Sequence, residues 1–209
     1  MTATTTDSPD TPSKSRRTRG PSASTPARRA EIIRAASASI AEHGDERASL
    51  RDIAARANVT HAALLRHFAS KDDLLLAALA RRDADDEELA QRIMASKVPA
   101  EQVLSTVLRE EFTHPDQQRN WLSIAVAATN PDHPAHDFFI ARRGRLRAHL
   151  SSGRLGTAQD SEELTADEKV TMLMAMMDGL RIQALLDPTR ETLPLLETFM
   201  RLIATAEDA

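Results

Sequence analysis

Apolar residues recur at intervals of three and four almost throughout this chain, and each run is bracketed by residues that start or stop helices. That punctuation constrains the fold more than any other feature. Ile32, Ile33, Ala36 and Ile40 form a first stripe; Thr25 is placed to cap it, Pro26 suits the first helical position and Gly44 suits the end. Ser49, with Asp52 three residues on, opens a short second helix that ends near Ala57 and buries Leu50, Ile53 and Ala54. Asn58 tolerates the left-handed conformation of a tight turn. Thr60 caps a third helix through His67, buried by Ala63 and Leu64 and closed by Phe68. Ser70, with Asp73, caps a fourth over 72–95. Further helices are predicted near 100–113, 116–129, 135–151, 166–186 and 191–206, broken by Pro99, Pro115, Pro131 and Pro134 and by a loop over 152–165. Thr165 and Glu168 make a capping box, and Pro194 fits only the first turn of the last helix. No strand-like alternation appears, and with six glycines, no tyrosine and few aromatics the expected class is all-α.

Several function classes drop out at once. The chain has no cysteine, so disulfides, cysteine-bound metals and cysteine nucleophiles are excluded. No apolar run is long enough for a membrane span, and the N-terminus, with Asp7 and Asp10, has no signal-like apolar block; the expectation is a soluble, cytoplasmic protein with no membrane partner. There is no phosphate-binding glycine loop, no HExxH and no recognisable Ser–His–acid spacing. Glu110/Glu111 and Glu162/Glu163 are sequence neighbours and point apart on a helix. No enzyme and no cofactor is expected. His114, and His133 and His136 between Asp132 and Asp137, read as surface residues, so no metal is expected either. Arg142, Arg143, Arg145 and Arg147, and the acids from Asp83 to Glu88, read as solvated helix faces.

Charge divides the chain. Residues 1–82 hold 14 basic and 9 acidic side chains, residues 83–209 hold 13 and 22, and a basic half of this kind suits a polyanionic partner. Residues 1–24 are polar and Pro/Ser/Thr-rich, with Lys14, Arg16, Arg17 and Arg19, and read as a disordered basic arm. Residues 25–71 read as a three-helix unit and 72–209 as a second, helical unit. Within the first, the two short capped helices of 47–71 joined by a three-residue turn have helix-turn-helix spacing. Ala54 is small where the helices cross, Val59 plugs the turn, and Leu50, Ile53, Leu64 and Phe68 supply a local core. Thr60, His61, Ala62, Leu65, Arg66 and His67 then form the exposed side. His61 and Arg66 suit guanine acceptors, Ala62 permits close approach, and Ser49, Thr60 and Lys71 suit phosphate.

These residues resemble the N-terminal domain of TetR-family transcriptional repressors. The resemblance spans 26–82 and rests on Ile32-Ile33-x-Ala35-Ala36, Glu42-His43-Gly44, Leu50-Arg51-Asp52-Ile53-Ala54, Asn58-Val59-Thr60, Leu64, His67-Phe68 and Ser70-Lys71-Asp72-Asp73-Leu74-Leu75. The segment from Met177 to Pro188 also looks like the penultimate helix of many members. The resemblance implies about nine helices, a homodimer formed through the last two, a small-molecule pocket in the C-terminal part, and a palindromic operator released on ligand binding. Two positions depart from it. Asn58 stands where the family often has glycine. Leu65 stands where many members have a tyrosine that reaches phosphate, which moves the weight of binding towards Arg66.

Helix 166–186 is apolar nearly all round and must be covered on every side. Together with the last helix it is read as a four-helix dimer interface carried by Met172, Met176, Gly179, Leu180, Leu196, Phe199 and Ile203, with Ala175 and Gly179 allowing close approach. Met94, Phe112, Trp121, Phe138 and Phe139 are the candidate lining of a largely apolar effector pocket. The competing reading is an all-helical dimeric interaction module that does not bind DNA.

Overall fold

The computed structural model describes residues 25–152, 160 and 164–205, with side chains through residue 203. Among them are nine helices and no strand: α1 (Thr25–His43), α2 (Leu50–Arg56), α3 (His61–Leu65), α4 (Lys71–Ala95), α5 (Ala100–Phe112), α6 (Pro115–Ala127), α7 (His136–Leu150), α8 (Ala166–Leu186) and α9 (Leu193–Thr205). The basic arm, with Lys14, Arg16, Arg17 and Arg19, lies outside the described residues, as does part of the loop over 152–165.

The caps act where the sequence puts them. Ser49 Oγ accepts from the Asp52 N–H at 3.1 Å, Thr60 Oγ1 from Ala63 at 3.1 Å and Ser70 Oγ from Asp73 at 3.0 Å. Thr165 and Glu168 form the reciprocal box. Each cap satisfies an amide that the first helical turn leaves without a partner. Gly44 at φ 79° and Asn58 at φ 52° carry the left-handed breaks. Pro194 stands second in α9, within its first turn.

Two hydrophobic cores hold the helices. The first joins Ile32, Ala36 and Ile40 of α1 to Ile53, Leu64 and Phe68, to Leu74, Leu75, Ala78 and Leu79 of α4, and to Trp121, Ile124 and Phe139 of α6 and α7. It runs straight across residue 71, so the helix-turn-helix is packed into the body through α4 and α6. The second gathers Val103, Leu104 and Leu108 of α5, Leu150 of α7, Val170, Leu173, Met174, Met177 and Leu180 of α8, and Leu193, Leu196, Met200 and Ile203 of α9.

Two sequence expectations are corrected here. Asp83 and Asp86 are not a solvated face, and neither is Arg142. Asp83 accepts from Arg142 Nε at 2.8 Å and also pairs with Arg145, while Arg142 lies 3.5 Å from Asp86. The two helices are about 60 residues apart in sequence, and their packing brings opposite charges together where neither helix alone gives a reason for it. The third helix is also shorter than 60–67. It ends at Leu65, because the Phe68 side chain turns inward beside Leu64 and its amide and that of His67 both bond to Leu64 O, at 3.1 and 2.9 Å.

Candidate nucleic-acid interface and effector cavity

The candidate interface is built from the turn outward. Ala57 ends α2, Asn58 reverses the chain, and the Val59 amide bonds back to Ala54 O at 2.9 Å. Leu64 and Phe68 are buried, which rolls α3 so that His61, Ala62 and Leu65 face solvent, followed by Arg66. His67 is half-buried and sits in the turn after α3. Ser49 and Thr60 spend their oxygens on the caps. Lys71 Nζ donates to Glu46 O at 3.1 Å, so this side chain ties the start of α4 to the loop before α2. Arg47 and Arg51 are exposed beside this face, and neither makes an ion pair among the described residues. Arg47 lies in the turn before α2, and Arg51 stands in the first turn of α2. Arg29 of α1 lies 4.5 Å over the Phe68 ring and carries positive charge to the same side.

A groove of about 900 Å³ lies between α1, α4, the end of α5 and α6. Of the five candidate pocket residues only Trp121 lines it. Phe138 and Phe139 stand behind Trp121, edge-on at 6.2 and 5.0 Å between centroids. Phe112 packs on the second core, and Met94 is exposed at the far end of α4. The guanidinium groups of Arg82 and Arg142 lie over the Trp121 ring at 4.6 and 4.8 Å.

Electrostatics at the inner wall of the groove are unusual for a helical body. Arg181 and Glu111, both nearly buried, make a two-pronged pair at 2.8 and 3.1 Å. Burial opposes the Arg181 charge, and Glu111, with Asp178 and Asp86, more than offsets this, so its pKa rises. Burial lowers that of Arg82, which donates to Gln117 O at 2.7 Å and Gln118 Oε1 at 3.0 Å. Asp86 is pushed up to about 6, by burial foremost and then by Glu111, despite Arg82, Arg142 and Arg181. Among the described residues no three His, Asp or Glu side chains are grouped to hold a metal.

The candidate dimer residues separate into two sets. Leu180, Leu196 and Ile203 face into the second core of their own chain. Met172 is exposed, and Met176, Gly179 and Phe199 are half-buried. A methyl group at Gly179 would meet nothing within 4 Å. The outward apolar residues of the two helices include Ile182, Leu186, Leu195 and Leu202.

Residues 32–78 match the family model described as bacterial regulatory proteins, tetR family. Solved structures share the fold. A transcriptional regulator from a Rhodococcus species has TM-score 0.67 at 21% identity, over 85% of this chain and 94% of that one. A putative transcriptional regulator from Saccharomonospora viridis, in complex with choline, has TM-score 0.68 at 24% identity, over 87% and 97%. The multidrug binding protein EbrR complexed with proflavin has TM-score 0.59 at 24% identity, over 84% and 99%. Among curated proteins, none matches the chain. Residues 32–78 are thus similar to the bacterial regulatory proteins of the tetR family. The described chain as a whole has the fold of the transcriptional regulators it resembles.

Proposed function

We propose that the protein is a homodimeric, ligand-responsive transcriptional repressor that binds a palindromic operator through α3 and is released by a small molecule. The observation that carries this reading is the roll of α3: Leu64 and Phe68 are buried, so His61, Ala62 and Arg66 are presented outward from a short helix of major-groove width. Arg66 and His61 read bases. Arg47, Arg51 and Lys71 meet phosphates, and Ser49 and Thr60 present amide-rich helix starts to the backbone. Leu65 rests against the groove wall, where it can make apolar contact only.

A dimer is supported by the outward apolar residues of α8 and α9, which one chain leaves in water. Gly179 fits this reading, since nothing in its own chain requires a glycine there. A small-molecule effector is supported by the groove beside Trp121, and the relatives solved with choline and with proflavin are regulators or binding proteins of the same fold.

Selection of random duplex DNA by the purified protein tests the proposal. The expected product is a palindrome whose half-site centres lie about 34 Å apart, or a multiple of that. Recovery of no sequence even at low salt contradicts it and fits an interaction module instead.

A further inference from the structure

The groove between α1, α4, α5 and α6 has apolar walls, including Ile33, Ala78, Leu79, Trp121 and Ile124. Its charges are not all committed. Arg81 and Asp85 clasp each other at 2.6 and 3.0 Å. Arg82 donates to Gln117 and Gln118, and both oxygens of Glu111 are taken by Arg181. Asp86 is different. Its side chain is only 25% exposed, its nearest cations are Arg142 at 3.5 Å and Arg82 at 3.9 Å, and its carboxylate accepts no hydrogen bond among the described residues. Glu110, at the same end, is exposed and has no ion pair among those residues. The cations of the groove that make no ion pair among those residues, Arg29 and Arg34, both stand exposed on α1, where water screens them. A charge held in a partly dry wall interacts more strongly than one in solvent, so Asp86 decides the sign of the ligand.

We infer that this groove takes a small organic cation, a protonated amine on an apolar body, with Asp86 as its counter-ion and Glu110 nearer solvent. The assignment rests on the reading of the chain as a ligand-responsive regulator, and names the ligand class and the place. The apolar body lies along Trp121 and Ile124 and touches Ile33 of α1. The occupant therefore spans the seam between α1 and the body, which Asn120 Nδ2 holds by donating to Ala41 O at 2.5 Å. A ligand seated across that seam and an operator on α3 act on the same helix packing, so each alters the affinity of the other by one shared factor.

Calorimetry of the full chain with three probes on one ring system tests this: naphthylmethylamine, naphthalenemethanol and naphthoate. The amine is expected to bind more tightly than the alcohol, and the carboxylate least. Asp86→Asn is expected to weaken the amine about tenfold, as loss of one hydrogen bond to a charged group does, and to leave the alcohol unchanged. Glu110→Gln, at an exposed position that spares the fold, is expected to weaken the amine by a smaller factor. Tighter binding of naphthoate, equal binding of all three probes, binding of none, or an amine affinity unchanged in both variants overturns the assignment. A protein that selects an operator yet ignores the amine overturns the ligand class alone. Amine binding by a protein that selects no operator supports the ligand class and removes the regulator reading.

Discussion

Arg66 stands just beyond the last residue of α3, exposed, in a helical conformation and with no ion pair among the described residues. A guanidinium so placed reaches two acceptors on a guanine edge. Arg66→Ala should weaken operator binding by about 1–3 kcal/mol, leave binding to random duplex little changed, and relax preference at one base pair of each half-site. A gel shift on both duplexes checks it; equal loss on the two reassigns Arg66 to phosphate. At Asp86 the prediction concerns pH. Its folded carboxyl titrates at about 6, above the ordinary 3.8. Between these values the native state holds a proton that the unfolded chain has shed, so this group adds stability as pH falls through the window and loses it as pH rises. The groups that set the value are Arg82 on its own helix, Glu111 on α5, Arg142 on α7 and Arg181 on α8. The stability of Asp86→Asn relative to wild type should therefore rise by about 1–3 kcal/mol from acid to alkaline pH, most of it below neutrality, by denaturant melts along a pH series. A difference that is flat in pH would show that Asp86 is not held out of water.

At the scale of the element, the α2–α3 turn depends on one left-handed residue. Asn58→Ala should cost about 1–2 kcal/mol of stability and Asn58→Gly nearly nothing, because only the first adds a penalty at φ 52°. Urea unfolding of the two variants separates them. Local features of this kind were legible in the sequence, since a cap or a left-handed turn is decided by a few neighbouring residues. Ser49, Thr60, Ser70 and Thr165 all act as their spacing to an acid or a following turn indicates. The end of α3 was not, because it is set by where Phe68 finds a core assembled from α1 and α4. The pairing of Asp83 and Asp86 with arginines of α7 was hidden for the same reason: sequence shows charge on each helix but not the face each turns to the other.

For the whole molecule, periodicity alone could not tell a core from an interface. Helix α8 is apolar on more than one side, and Leu180, with Leu196 and Ile203 of α9, proves to lie in the chain's own core, while Met172, Ile182 and Leu186 remain outside. The division at residue 71 is likewise softer in space than in sequence. Charge and caps change there, but Leu74, Ala78 and Trp121 carry the core of the helix-turn-helix into the body. Through that continuity the groove between α1 and α6 adjoins the core on which α3 packs. If two chains pair through α8 and α9, Leu186→Glu, at a position 81% exposed, should spare monomer stability and dissociate the dimer. Sedimentation at matched concentrations checks this, and a variant that stays dimeric moves the interface elsewhere.

In the proposed complex two copies of α3 sit in the major groove of one duplex. Methylation of guanine N7, which lies in that groove, tests it most directly through interference with binding to a selected operator. Two symmetric clusters of interfering guanines are expected on one face of the duplex, at about one helical turn or a multiple of it, with the guanine facing Arg66 losing its effect in Arg66→Ala. A single cluster, or binding indifferent to N7 methylation, contradicts it.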